Sequence, residues 1–304
     1  MTTFQRLLAL SLLAALPGAA RADDPCATTA AYQRSSASFE LKEELLDAIA
    51  VCINVEDPRD RAECLNEARA DYLDGLELVQ EQYDARLDLC GLLGGGTYDP
   101  EIEPRDFTTA IDNPWLPLPV GAVWNYESLT EEGLEEIEVT VLPETRTILG
   151  VECVTVRDTV TLEGELVEDT LDWYAQDEDG NVWYFGEIVF NYEEGYVADI
   201  DGSWLAGVDG AKPGIVMLAA PAVGATYRQE WLAGEAEDAA TVLDDGAAVT
   251  LGLGTFTGCL QTADFTPVEP DALEHKFYAS GIGFLYETKP GTSEVLELVG
   301  YSGL

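Results

Sequence analysis

The sequence predicts an α+β protein: an N-terminal helical hairpin stapled by disulfides, then a large antiparallel β meander that curls into a barrel or half-barrel. Apolar residues recur at helical spacing as far as the glycine cluster Gly94-Gly95-Gly96 and alternate with polar ones beyond it. Four of the six cysteines, Cys26, Cys52, Cys64 and Cys90, lie in the helical part.

The first segment, residues 1–22, reads as a cleavable secretory signal. Arg6 precedes the apolar run Leu7 to Leu16, then come Pro17 and the small-residue pattern Ala20-Arg21-Ala22. That run falls well short of the roughly 20 residues that span a bilayer. The mature chain is expected from Asp23 onward and either secreted or periplasmic. Asp24-Pro25 ahead of Cys26 does not suit a lipid-anchor processing site.

The second segment, residues 23–98, is the hairpin. Leu41, Leu45, Ala48, Ile49 and Cys52 mark one helix over Ser38 to Asn54, and Asp57-Pro58 gives an N-cap residue with proline at the first helical position. The stripe Leu65, Ala68, Tyr72, Leu76, Val79, Tyr83, Leu87 and Cys90 then sustains a helix roughly 50 Å long. Antiparallel packing favours the nested pairs Cys52–Cys64 and Cys26–Cys90; spacing leaves the other two connectivities open, and leaves open whether Cys153 and Cys259 are bridged.

The third segment, residues 99–304, is the β domain. The prolines of Asn113 to Pro119 mark an extended lead-in. Short alternating runs follow, the first at Ala122–Tyr126 and the last at Gly283–Thr288, separated by turn signals such as Glu163-Gly164, Asp179-Gly180 and Pro290-Gly291. No strand–helix alternation supports a doubly wound parallel sheet.

Charge narrows the function classes: 58 acidic residues stand against 15 basic ones. Such a surface repels phosphate backbones, so nucleic acid is not an expected partner. Solubility in a salty medium, cation binding and a cationic partner all fit. His275 is the single histidine and no Cys-x-x-Cys occurs, which disfavours a zinc site, and a catalytic triad would have to use His275 itself. Gly-x-Ser-x-Gly and phosphate-loop patterns are absent.

Asp172 to Glu187, DWYAQDEDGNVWYFGE, is the most informative segment. A two-residue turn at Asp179-Gly180 puts Gln176 opposite Trp183, Tyr174 opposite Phe185 and Asp172 opposite Glu187, with Trp173, Ala175 and Tyr184 on the other, core-facing side. Opposed carboxylates about 5 Å apart between Cβ atoms are destabilising unless solvated, protonated or bridged by a cation. Three readings follow: an outer surface, a cation site, or an acid/base pair at the separation of a retaining glycosidase. The oxygen-only cation site would use Asp172, Glu187, Asp177 and Asp179, with calcium as the ion. The Asp-x-Asp-Gly stretches at 177–180 and 199–202 are also ordinary turn chemistry, and glycine at the fourth position departs from an EF-hand.

NPWLPLPVGAVWNYE (113–127), DWYAQDEDGNVWYFGE, GSWLAGVDGAKPGI (202–215), GTFTGCLQT (254–262) and EHKFYASGIGF (274–284) together resemble a family of exported bacterial proteins with no assigned activity. The resemblance spans the β domain from Asn113 onward, and the hairpin resembles an extension found on some members. It implies bacterial origin and export. Trp115 stands where tyrosine is usual and His275 where an apolar or small residue is.

The leading expectation is an exported acidic binding protein, calcium-supported, in which Tyr174, Trp183 and Phe185 meet a small apolar molecule, glycan or lipid. The alternatives are a glycosidase-like hydrolase using Asp172 and Glu187, and an envelope-associated protein docking through the hairpin.

Overall fold

Asp24 and Asp57 each stand before a proline, and each starts a helix. The carboxylate of Asp24 accepts from the Ala27 N–H at 2.9 Å and that of Asp57 from the Arg59 N–H at 2.7 Å. The computed structural model describes residues 24–304, so the secretory signal expected at 1–22 lies outside the described residues. Helix α1 runs Pro25–Ile53 and α2 Pro58–Leu93. The first helix thus begins at Pro25 rather than Ser38, because Asp24-Pro25 repeats the start signal of Asp57-Pro58 in a stretch without an apolar stripe. Cys26–Cys90 and Cys52–Cys64 are bonded, with Cα atoms 5.7 and 5.6 Å apart. Among the described residues no helix is long and apolar enough to cross a membrane.

Strands β1 (Phe107–Thr108), β2 (Val123–Leu129), β3 (Leu134–Ile148), β4 (Val151–Leu162), β5 (Glu165–Asp177) and β6 (Val182–Glu193) form the first half of the sheet. Short pieces follow: β7 (Tyr196–Asp199), β8 (Trp204–Leu205), β9 (Lys212–Met217), β10 (Thr226–Arg228) and β11 (Glu230–Trp231). The second half is β12 (Ala239–Leu251), β13 (Gly254–Phe265), β14 (Leu273–Ala279), β15 (Gly283–Thr288) and β16 (Val295–Ser302). Their order is β10-β12-β13-β14-β15-β16-β2-β3-β4-β5-β6-β9-β11, with antiparallel neighbours. The curled sheet is nearly closed. Its ends meet at Gly214, where a Cβ would fall 2.4 Å from the backbone of Gln229, so only glycine permits the approach.

Strand β16 is absent from the sequence expectation, yet it joins the two halves of the sheet by pairing with β15 and β2. Its alternation is broken by Gly300 and by a register shift between Leu298 and Gly300, which hides it.

Both faces of β4, β5 and β6 are covered. The inner face holds Trp124, Val141, Val154, Val156, Val182, Leu260 and Leu298. The outer face packs Cys153, Trp173, Ala175, Phe185 and Trp204 under the loops. Cys259 belongs to the inner cluster and Cys153 to the outer one, so these buried thiols are unbridged.

Candidate functional site

The turn joining β5 to β6 has three residues, Glu178-Asp179-Gly180, rather than two. The Asp177 N–H donates to the Asn181 carbonyl at 3.0 Å, and Gly180 adopts φ 92°. This shifts the register so that Gln176 faces Val182 and Tyr174 faces Tyr184. A bulge at Phe185-Gly186 then restores it, and Asp172 faces Glu187. The expected opposition of the two acids therefore holds, while the expected pairings of Tyr174 with Phe185 and of Gln176 with Trp183 do not.

The bulge also redistributes the expected ligand contacts. Tyr174 and Tyr184 stack at 4.8 Å between ring centroids, and the Tyr184 hydroxyl donates to Asp172 Oδ1 at 2.5 Å. Phe185 turns outward, fully buried edge-on against Phe107. Trp183 turns outward as well, its indole N–H donating to Asp177 at 2.7 Å. Tyr174, Trp183 and Phe185 thus do not share a face.

Nor does the expected cation set assemble. Asp177 is occupied by the Asn181 backbone and side-chain N–H groups and by Trp183, and Asp179 is exposed at the loop tip. Asp172 and Glu187 face inward. Among the described residues no group of three or more His, Cys, Asp or Glu side chains is arranged to hold a metal ion.

Asp172 is buried inside the barrel rather than on a solvated outer surface, and it lines a cavity of about 340 Å³. Leu116 and Leu118 of the lead-in form part of its wall with Trp124, Val139, Val156 and Phe284. Gln176 fixes the lead-in: its side-chain oxygen accepts from the N–H groups of Asp112 and Asn113, at 3.0 and 2.9 Å. Asn113, 2 % exposed, donates to the carbonyls of Gly180 and Leu218.

The polar side of the cavity carries Asp158, Asp172, Glu287 and Lys276. Burial, then the charge of Asp172, pushes Asp158 up to about 8. Burial raises Asp172 to about 7 against the opposing Tyr184 hydrogen bond, and burial with Asp172 raises Glu187 to about 8. Burial also lifts Glu287 to about 7, against the pull of Lys276. Burial opposes the charge of Lys276, but Asp264, Glu274 and Glu287, at 3.7, 3.1 and 3.9 Å, outweigh it and hold the ammonium well above its ordinary value. Asp158 Oδ1 is buried with no hydrogen-bond partner.

Asp158 was not among the residues expected at a site, although the alternation Val154, Val156, Asp158, Val160 puts an acid in apolar phase. Lys276 and Glu287 fall at strand positions that read as ordinary solvated charge.

Fold and site define an α+β protein with a hairpin clamped to a barrel whose interior holds an apolar cavity edged by protonatable acids. No protein-family profile matches the chain, and no curated protein does. Among solved structures, a candidate lipoprotein from Parabacteroides distasonis is similar at 14 % identity and a TM-score of 0.33, over 62 % of this chain and 98 % of that one. At that score the likeness carries no argument.

Proposed function

We propose that this chain is an exported binding protein whose barrel takes a small molecule with an apolar body and an ammonium or other strong donor group. Asp158 carries the reading. Its Oδ1 is buried without a partner at the edge of an apolar cavity, a placement that costs about 1–3 kcal/mol unless a donor arrives. The volume suits a small ligand, since such pockets run from roughly 300 Å³ upward. The secretory signal, the two disulfides and the motif resemblance to exported bacterial proteins support export.

A hydrolase using Asp172 and Glu187 has less support, because Asp172 lines the cavity and Glu187 does not. Calcium is not carried into the proposal, since the four acids expected to bind it divide between two faces.

Thermal melts at pH 8 with hexylamine, hexan-1-ol and hexanoate test the reading. Hexylamine should raise the melting temperature by several degrees at saturating excess, hexan-1-ol by less, and Asp158→Asn should remove the difference. Equal shifts with amine and alcohol in the wild type, or an amine response that survives D158N, would overturn it.

A further inference from the structure

A second cavity, of about 430 Å³, lies where the hairpin meets the barrel. Its character is opposite to that of the whole chain. In a protein with 58 acidic and 15 basic residues, Arg86 of α2, Lys212 of β9 and Arg228 of β10 converge on this space, with Glu237 as its acid.

Charge matching leaves one base over. Glu237, 2 % exposed, accepts from Arg86 Nε at 2.9 Å, from the Gly234 N–H at 2.7 Å and from the Gln33 amide. Lys212 donates to the Tyr98 carbonyl at 2.6 Å and to Asp99 at 2.8 Å. Arg228 is 8 % exposed, and its Nε and Nη1 are buried with no acceptor. Its Nη2 reaches only the Cys26 sulfur, at 3.8 Å, and the Tyr98 ring centroid lies 5.5 Å from Cζ. A guanidinium withdrawn from water in this way is destabilising until an anion meets it.

We propose that this cavity binds a small monocarboxylic acid, its carboxylate on Arg228 and its apolar body against Trp183, Tyr227 and Trp231. A planar guanidinium matches a carboxylate in charge and geometry. The single uncompensated cation favours a monoanion: a second negative charge would lie beside Glu237 in a chain of net charge −43. The aromatic walls favour a body of several carbons over acetate. This site stands independently of the barrel cavity.

Trp183 and Trp231 line the site, so intrinsic fluorescence of the mature chain reports on it. Titration with hexanoate should give a saturable change, with inorganic phosphate and hexan-1-ol at least about tenfold weaker. Arg228→Met should lose the hexanoate response and melt at or above the wild-type temperature, since it deletes an unpaired buried charge. If R228M does not fold, Arg228→Lys decides, because it keeps the charge without the planar fork: hexanoate affinity should fall several-fold. Hexanoate no tighter than hexan-1-ol, phosphate tighter than hexanoate, or unchanged hexanoate affinity in R228M or R228K would each overturn the proposal.

Discussion

The inward acids tie stability to pH in a direction opposite to that of most carboxylates. Asp172 and Glu287 are raised to about 7 and Asp158 and Glu187 to about 8, so between about pH 4 and 8 the native state holds more protons than the unfolded chain. Stability must then fall as pH rises through that window. The melting temperature should be higher at pH 5 than at pH 8.5, and Asp172→Asn, which preserves an acceptor for Tyr184, should flatten the slope. A D172N slope equal to the wild type would show that Asp172 ionises freely in the fold. At this scale the sequence is a partial guide. Alternation puts Asp158 on the buried face beside Val154 and Val156, but only the closed sheet shows that no donor reaches it. Arg228 falls inside the alternating run 225–231 as an ordinary strand base, and only the structure shows it covered by α1 and α2.

Among the elements, the β5–β6 hairpin shows how a correct pairing can arise from two departures that cancel. The three-residue turn moves the register one way and the bulge at Phe185-Gly186 moves it back, so Asp172 and Glu187 meet while every pair between bulge and turn differs from a simple hairpin. Gly186 makes the bulge possible, with φ 136°; a Cβ there would fall 2.5 Å from the Trp204 carbonyl oxygen. Gly186→Ala should therefore destabilise the protein by more than about 2 kcal/mol in denaturant titration, and should weaken amine binding by moving Tyr184 off Asp172. A variant within about 0.5 kcal/mol of the wild type, the range of an ordinary surface change, would mean the strand tolerates a regular ladder. Helix α2 and the second half of α1 are legible from the Asp57 cap and the apolar stripes, whereas the stretch of α1 before Ser38 is not, since it carries no stripe. Neither is strand β16, because one glycine and a register shift erase its period.

For the molecule as a whole, Glu237 is the tie between hairpin and barrel, receiving Arg86 from α2 and Gln33 from α1. The Arg86 and Glu237 side chains are 7 % and 3 % exposed, so removing one partner strands the other. Arg86→Leu should cost about 3–5 kcal/mol, read by denaturant titration, and the double variant R86L/E237Q should recover part of it. A loss below about 1 kcal/mol in R86L, the worth of an exposed pair, would show the tie to be solvated. The α+β architecture follows from spacing, which also favours the nested disulfides; the bonded pairs Cys26–Cys90 and Cys52–Cys64 decide among the three connectivities. The docking of hairpin on barrel does not follow from spacing, since it depends on ion pairs between residues about 150 positions apart, as Arg86 and Glu237 are.

Because β16 lies between β15 and β2 in the circle, the order in which the chain emerges during synthesis matters. The hairpin and the sheet from β2 to β6 can assemble early. The two arcs of the barrel stay unjoined until residues beyond 295 have emerged. Until then β2, which carries Trp124 and Tyr126, presents a bare edge on which chaperones or a neighbouring nascent chain would compete with the protein's own last strand.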